Sequence, residues 1–172
     1  MATYVLIPGA GSDSWYWHLV VPLLRDRGHD VVTVDLPCDD DSAGLAEYAD
    51  TVVEAIGDRT AVVLVAQSMA GFTAPLVCER VPVQLMVLVA AMVPLPGECP
   101  GDWWANTGHE EAMNRQARID GRAPGYDDPA GLFLHDLPPD SWLRRRRRSA
   151  PSPAPRSRSR GPWPPGRART EA

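Results

Sequence analysis

The chain has 172 residues and a formal net charge of −5, with 17 basic residues, all of them arginine, against 22 acidic ones. This length is sufficient for one domain with a hydrophobic core, and the hydrophobic content of 44% is ordinary for a globular protein. No apolar run is long enough to span a membrane, and the N-terminal residues lack the basic and apolar regions of a secretory signal. We therefore expect a cytoplasmic globular protein.

Four apolar runs of strand length alternate with segments of helical spacing in the first half of the chain. The predicted strands are residues 4–7, 31–34, 61–65 and 84–90, and the predicted helices are residues 14–27, 44–57 and 70–81. Because these strands are apolar throughout instead of alternating, the pattern is typical of a parallel sheet that helices cover on both faces. The sequence thus predicts an α/β fold.

The strand signal stops after Gly97. Residues 98–142 contain Trp103, Trp104 and a further helical stretch near residues 108–118, a pattern that favours a small lid over the sheet. We therefore divide the chain into an α/β core at residues 1–98, a lid-like region at residues 99–142 and a tail at residues 143–172.

The tail differs in composition from the rest of the chain. It holds ten of the 17 arginines, five of them consecutive at residues 144–148, and six of the 18 prolines, but only one of the 22 acidic residues. A segment with like charges and so little apolar content cannot offset the entropy lost on ordering, so we predict that it is disordered.

Two interpretations of the tail are open. Arg, Pro, Ser, Gly and Ala are the residues that GC-rich DNA yields when read out of frame, so we favour a frameshifted translation that truncates the fold. The strand at 84–90 would then be an exposed apolar edge, and we expect poor solubility. The alternative is a genuine basic tail that binds nucleic-acid phosphates. Since only Trp163 is present to stack on a base, nucleic acid is not the expected partner.

The cysteines and the acidic residues show no pattern of a metal site. Cys38, Cys78 and Cys99 are odd in number and lack C-x-x-C spacing, so we expect reduced thiols. We expect neither a metal nor another cofactor, and the sequence indicates no oligomeric state.

Ser68 lies at the one position in the chain where a buried strand turns directly into a helix of small residues. This is the layout of a nucleophile elbow, in which the serine is exposed at the end of the strand. A serine nucleophile needs a base and two donors for the oxyanion. The N–H of Met69 and the loop Pro8–Gly11 are the candidate donors. A simple N-cap of the helix is the alternative role for Ser68.

Three segments of the chain together resemble the α/β-hydrolase family, in particular its compact branch of esterases and hydroxynitrile lyases. The first segment is Tyr4-Val-Leu-Ile-Pro-Gly-Ala10, with Trp15-Tyr-Trp17 after it. The second is Gly28-His-Asp-Val-Val-Thr-Val-Asp-Leu-Pro37. The third is the elbow Val62-Val-Leu-Val-Ala-Gln-Ser-Met-Ala-Gly71 with the strand that follows it. The resemblance covers residues 3–98 well and residues 99–142 loosely, and it implies an α/β-hydrolase fold.

This resemblance also implies a function. Ser68 is the implied nucleophile, and the backbone N–H groups of Ala10 and Met69 are the implied oxyanion hole. The candidate pocket walls are Trp17, Trp103 and Trp104, with core packing as their alternative role. The implied reaction is esterase-type acyl hydrolysis of a small-molecule substrate. A lyase on the same fold, and a non-catalytic remnant or binding protein, are the alternatives.

The sequence departs from the family pattern at several positions. Pro8 replaces the usual histidine before Gly9, and the elbow reads A-x-S-x-A with its glycine displaced to Gly71. The family places an acid and then a histidine after the serine, on loops behind two further strands that are not found here. Only His109 and His135 follow Ser68 in the chain. We therefore expect that the activity is impaired.

Overall fold

A four-stranded parallel sheet organises the first half of the chain in the computed structural model, which describes residues 1–123 and 136–137. The strands are β1 (Thr3–Ile7), β2 (Asp30–Thr33), β3 (Val62–Gln67) and β4 (Val83–Val89). They lie in the order β2-β1-β3-β4, and every neighbouring pair is parallel. The predicted α/β fold with a parallel sheet is confirmed, and each predicted apolar run overlaps a strand to within one or two residues at either end.

The helices of the described residues separate or follow these strands. They are α1 (Val20–Arg25), α2 (Leu45–Ile56), α3 (Ala70–Cys78), α4 (Pro100–Asn106) and α5 (His109–Ile119), with a 3-10 turn at Ser14–Trp17. The N-terminus of α2 is stabilised because the Gly44 N–H donates to the Glu47 carboxylate at 2.7 Å. The helix ends at Gly57, whose φ of +54° stops the helical path.

The prediction of one continuous helix over residues 14–27 is wrong. Pro22 has no N–H to donate to the carbonyl of His18, so an uninterrupted helix would lose a hydrogen bond there. In the structure, Pro22 instead lies in the first turn of α1, where proline is tolerated. The preceding 3-10 turn has its own cap, because the Asp13 carboxylate accepts the Trp15 N–H at 3.0 Å.

Apolar side chains cover both faces of the sheet. On one face the sheet packs against α2 and α3, and this cluster includes Val5, Ile7, Val52, Leu64 and Val77. On the other face a smaller cluster forms with α1 and the 3-10 turn, and it includes Leu6, Trp17, Val31, Val63 and Val65. Adjacent residues of one strand therefore enter opposite clusters, which explains why the strands are apolar throughout instead of alternating.

β4 forms an exposed edge of the sheet among the described residues. It pairs with β3 alone, and its sequence VQLMVLV contains no charged residue. Leu85 and Leu88 are 55% and 44% exposed, far more than an apolar strand inside a sheet. Such an edge favours pairing with other chains. The poor solubility inferred from the sequence stays a prediction.

The described residues divide into two compact units, the first being Met1–Trp103 and the second beginning at Trp104. The first unit contains the whole sheet. In the second, the ring of His109 at the start of α5 packs edge to face on Trp104, with centroids 4.1 Å apart. None of the helices in residues 1–123 is long and apolar enough to cross a membrane. The tail at 143–172 and His135 lie outside the described residues, and the division at 98 and 142 stays a prediction.

The strand order places a topological switch point between β1 and β3. From β1 the chain moves to β2 on one side, and later enters β3 on the other side of β1. The connection that leaves the carboxyl end of β1 leads to β2, and the one that leaves the carboxyl end of β3 leads to β4, on the opposite side of the sheet. In open parallel sheets, ligands bind outside the carboxyl ends of the strands at such a switch point. Here Gly9 follows β1 and Ser68 follows β3.

Candidate active site

Ser68 occupies a strained turn between β3 and α3. β3 ends at Gln67 and α3 begins at Ala70, so only two residues connect the strand to the helix. The φ angle of Ser68 is +53°, a left-handed conformation that costs a residue with a Cβ about 1–2 kcal/mol. Its side chain is half-buried at the carboxyl edge of the sheet. This is the strand–turn–helix geometry that the sequence predicts.

Backbone hydrogen bonds hold this turn in place. The N–H of Ser68 donates to the carbonyl of Val89 at 3.2 Å, so the ladder between β3 and β4 continues into the turn. The Ser68 carbonyl accepts the N–H of Met92 at 2.9 Å and the N–H of Gly71 at 3.1 Å. Both backbone polar groups of Ser68 are therefore satisfied, which is how a strained residue is kept in position.

Gly71 allows α3 to approach the loop after β4. A Cβ at this position would lie 1.9 Å from the carbonyl oxygen of Met92, well inside contact distance. Ala66 and Ala70, which stand where the family pattern has glycine, are both fully buried in the core cluster. Glycine is therefore required at position 71 of this elbow, whereas alanine fits at positions 66 and 70.

The loop after β1 lies directly against the elbow. The N–H of Gly9 donates to the side-chain oxygen Oε1 of Gln67 at 2.8 Å. A Cβ on Gly9 would lie 2.7 Å from the Cβ of Ser68 and 2.5 Å from Gln67 Oε1. Only glycine fits this position without movement of the loop. The segment proposed from the sequence as an oxyanion loop is therefore adjacent to the proposed nucleophile.

The carboxylate of Asp35, in the loop that follows β2, holds the other end of the segment that begins at Gly9. Asp35 Oδ1 accepts the N–H of Ser14 at 2.6 Å, and the Ser12 N–H donates back to the Gly9 carbonyl at 3.2 Å. The segment from Gly9 to Ser14 is thus held at one end by Gln67 and at the other by Asp35. Its conformation is set by contacts with two neighbouring strands.

Two backbone N–H groups at this edge of the sheet donate to no acceptor within residues 1–123. Among residues 1–123, neither the N–H of Ala10 nor the N–H of Met69 makes a hydrogen bond. Ala10 is exposed, whereas the Met69 residue is 3% exposed, with its side chain in the core. The hydroxyl of Ser68 likewise makes no hydrogen bond to another described residue. Backbone donors of this kind are suited to binding a developing negative charge where they point at the reacting atom.

The described histidines have structural contacts of their own. His29 Nδ1 accepts the N–H of Ala2 at 3.4 Å and lies at the amino end of β1, the edge of the sheet opposite Ser68. His18 stacks on Trp15 at 4.2 Å and contacts the Trp15 carbonyl through Nδ1 at 2.8 Å. Partial burial lowers the pKa of His109, which belongs to the second unit.

The three candidate pocket tryptophans have different surroundings. Trp17 is 4% exposed and packs with Leu6 and Val63 in the smaller core cluster. Its indole N–H has no hydrogen-bond partner among the described residues. The Trp103 indole N–H donates to the Val93 carbonyl at 3.2 Å, in the loop that follows β4. Trp104 is half-buried in the second unit. These contacts favour core packing for Trp17, while the pocket role of all three stays a prediction.

Two groups of the first unit with clearly shifted pKa values are the Tyr48 hydroxyl and the Cys78 thiol. Burial, then a hydrogen bond with the Cys38 thiol, raises the pKa of Tyr48 to about 12. Partial desolvation raises the pKa of the Cys78 thiol, although the residue as a whole is exposed. None of the three exposed cysteines forms a disulfide, and the reduced state inferred from the sequence stays a prediction. No cluster of metal-binding side chains occurs in residues 1–123 or 136–137.

Sequence reasoning missed three residues that shape this site. Gln67 and Asp35 hold the loop after β1, and Met92 packs its backbone against Gly71. Gln67 carried a usable signal, since it is the single polar residue of β3 and directly precedes Ser68. Met92 carried none, because its contact is made through backbone atoms.

Comparison with known proteins assigns the family. The family model described as "Alpha/beta hydrolase family" matches residues 4–170, which is nearly the whole chain. The chain belongs to the α/β-hydrolase family.

Individual relatives agree with this assignment. The chain is 28% identical over 138 residues to norfluorocurarine synthase 1 of Strychnos sp, a match that covers 73% of this chain and 52% of the relative. It is 33% identical over 99 residues to methylesterase 9 of Arabidopsis thaliana, covering 52% and 39% respectively. A solved structure of a polyneuridine aldehyde esterase variant superposes with a TM-score of 0.54 at 25% identity, covering 64% of this chain and 48% of that one. The chain spans about half the length of the relatives it matches.

Proposed function

We propose that this chain is a serine esterase that cleaves a small-molecule carboxylic ester through an acyl-enzyme on Ser68. The observation that carries this proposal is the left-handed turn at Ser68, at the switch point of a parallel sheet. Within residues 1–123, the N–H groups of Ala10 and Met69 in the adjoining segments make no hydrogen bond. Strain in a residue with a Cβ persists where the surrounding structure enforces it, commonly at functional sites. The name of methylesterase 9 supports an ester as the substrate class.

In this proposal the N–H groups of Ala10 and Met69 stabilise the oxyanion. The N–H of Gly9 already donates to Gln67, so Ala10 is the next donor along the loop. Met69 directly follows the nucleophile, at the start of α3. The N-terminal end of a helix carries a positive partial charge, which favours a developing alkoxide. As Ser68 attacks the ester carbonyl, the carbonyl oxygen gains the negative charge that these donors bind.

We further propose that proton transfer limits the activity of this chain. Among the described residues no histidine hydrogen-bonds the Ser68 hydroxyl, and His135 lies outside them. In triad enzymes that lack one member, the oxyanion hole and binding still give a rate roughly 10³-fold above water. We therefore expect slow, Ser68-dependent turnover instead of the rate of a complete triad.

The test is hydrolysis of p-nitrophenyl acetate by the 172-residue chain. Ser68→Ala is expected to abolish any initial burst of nitrophenol and to lower the enzyme-dependent rate to what the oxyanion hole and binding alone supply, because no acyl-enzyme forms without the hydroxyl. Ser42→Ala is the matched control, since the Ser42 hydroxyl is exposed and donates to Asp40 within the loop between β2 and α2. Equal rates for wild type and Ser68→Ala would overturn the proposal.

A non-catalytic binding protein is the second candidate. It is favoured by the Ser68 hydroxyl, which makes no hydrogen bond to a base in the described part of the chain. A protein of this kind would bind an ester analogue reversibly at the switch point and would show no difference between wild type and Ser68→Ala in p-nitrophenyl acetate turnover.

A further inference from the structure

Gln67 joins the two halves of the candidate site. It is the last residue of β3 and the single polar side chain in that strand. Its Oε1 accepts the N–H of Gly9 at 2.8 Å, a contact between residues that are 58 positions apart in the sequence. A strand that enters the core has no need of a polar residue at its end, so this hydrogen bond gives the side chain a role.

The contact is tight and excludes other groups. Gly9 is buried and Gln67 is half-buried. Even a methyl group added to Gly9 would lie 2.5 Å from Gln67 Oε1 and 2.7 Å from the Cβ of Ser68. The loop backbone therefore lies directly on the elbow. Movement of the loop away from Ser68 would break the hydrogen bond to Gln67.

We propose that Gln67 is a positioning residue, whose side-chain oxygen holds the loop after β1 at the distance from Ser68 that oxyanion binding requires. This inference rests on the proposed function, because it assigns a role in the same reaction. Donors stabilise an oxyanion best when they are already in place before charge develops. By fixing the amide of Gly9, Gln67 limits the motion of the adjacent amide of Ala10.

The neutral amide of glutamine suits this position. A carboxylate would also accept the Gly9 N–H, but it would add a negative charge beside the atom that becomes the oxyanion. Like charges at close range in a partly buried site repel strongly. Substitutions can therefore test separately the hydrogen-bond acceptor of Gln67 and the absence of charge on its side chain.

The experiment measures the second-order rate of labelling of Ser68 by a fluorophosphonate in the full chain. Gln67→Leu removes the acceptor and is expected to slow labelling about tenfold, which corresponds to the loss of one ordinary hydrogen bond. Gln116→Leu is the matched control, since Gln116 donates to Asp120 on the exposed surface of α5 at 2.8 Å. It is expected to leave the labelling rate unchanged.

Gln67→Glu separates positioning from packing. Glu keeps the acceptor, so hydrogen exchange of the Gly9 amide should stay as slow as in wild type, while in Gln67→Leu it should become faster. The labelling rate of Gln67→Glu, divided by that of wild type, should fall as pH rises through the titration of the new carboxyl group, from about pH 4 upward. A residue that only packs would shift the melting temperature in Gln67→Leu and would leave exchange of the Gly9 amide as slow as in wild type. The pH dependence in Gln67→Glu tests instead whether the side chain must be neutral.

Each outcome distinguishes the inference from the proposed function. Slower labelling and faster exchange of the Gly9 amide in Gln67→Leu, with slow exchange retained in Gln67→Glu, support both. If wild type is labelled and both variants are labelled at the same rate as wild type, the role of Gln67 is overturned and the esterase proposal stands. A wild-type chain that is not labelled overturns the esterase proposal, and with it the assignment of Gln67 to that reaction.

Discussion

Gly71→Ala is expected to destabilise the protein by about 3 kcal/mol, although alanine is normally the better helix residue. The added Cβ would lie 1.9 Å from the Met92 carbonyl oxygen and 3.2 Å from the Cβ of Ala91. These atoms belong to a backbone that also accommodates the Ser68 turn, so they have little freedom to move aside. For a chain of this length the melting temperature should fall by roughly 6–12 °C.

Circular dichroism during thermal and urea unfolding measures this effect. Gly101→Ala is the matched control, because Gly101 also lies in the first turn of a helix, α4, and has no atom within 4 Å of its would-be Cβ. That variant should be as stable as wild type or up to about 1 kcal/mol more stable. Equal stability of Gly71→Ala and Gly101→Ala would show that α3 does not approach the loop after β4 as closely as described.

Gly9→Ala is expected to reduce acylation of Ser68 by about 10²–10³-fold, the effect of losing one oxyanion donor. The new Cβ would lie 2.7 Å from the Ser68 Cβ, so the loop after β1 must retreat and carry the Ala10 amide away. The Gln67 side chain is flexible enough to turn aside, but the Ser68 Cβ is fixed by the strained backbone.

The labelling rate with a fluorophosphonate, measured alongside the melting temperature, checks this prediction. Gly44→Ala is the control, since Gly44 has an extended backbone and its would-be Cβ meets only the end of the Glu47 side chain at 3.4 Å. The prediction requires a loss of rate far larger than the loss of stability explains. A Gly9→Ala variant that is labelled at the wild-type rate would mean that the loop takes no part in the reaction.

The local features of the fold were predictable from the sequence. Buried strands showed as apolar runs, and the turn at Ser68 showed as a serine between such a run and a helix of small residues. These signals are carried by neighbouring residues, so no knowledge of the rest of the fold is needed to detect them. The prediction was wrong for residues 14–27. The helical spacing of their apolar residues predicted one helix, although Pro22 cannot donate the hydrogen bond that a continuous helix would need there.

The contacts that complete the site were not predictable in this way. The hydrogen bond from Gly9 to Gln67 joins residues 58 positions apart, and the approach of Gly71 to Met92 depends on how α3 packs. The sequence pattern marked Gly71 as a displaced glycine but gave no reason for its position. The reason is a backbone contact, which leaves no trace in the identity of Met92.

The central claim, that Ser68 is the nucleophile of this chain, is tested most directly by covalent trapping. The 172-residue chain is incubated with a fluorophosphonate, digested, and mapped by mass spectrometry beside Ser68→Ala and Ser42→Ala. We predict a single phosphonyl adduct on the peptide that contains Ser68, approaching one per chain, in wild type and Ser42→Ala, and no adduct in Ser68→Ala. An unmodified Ser68 peptide, or an adduct that persists in Ser68→Ala, would contradict the account.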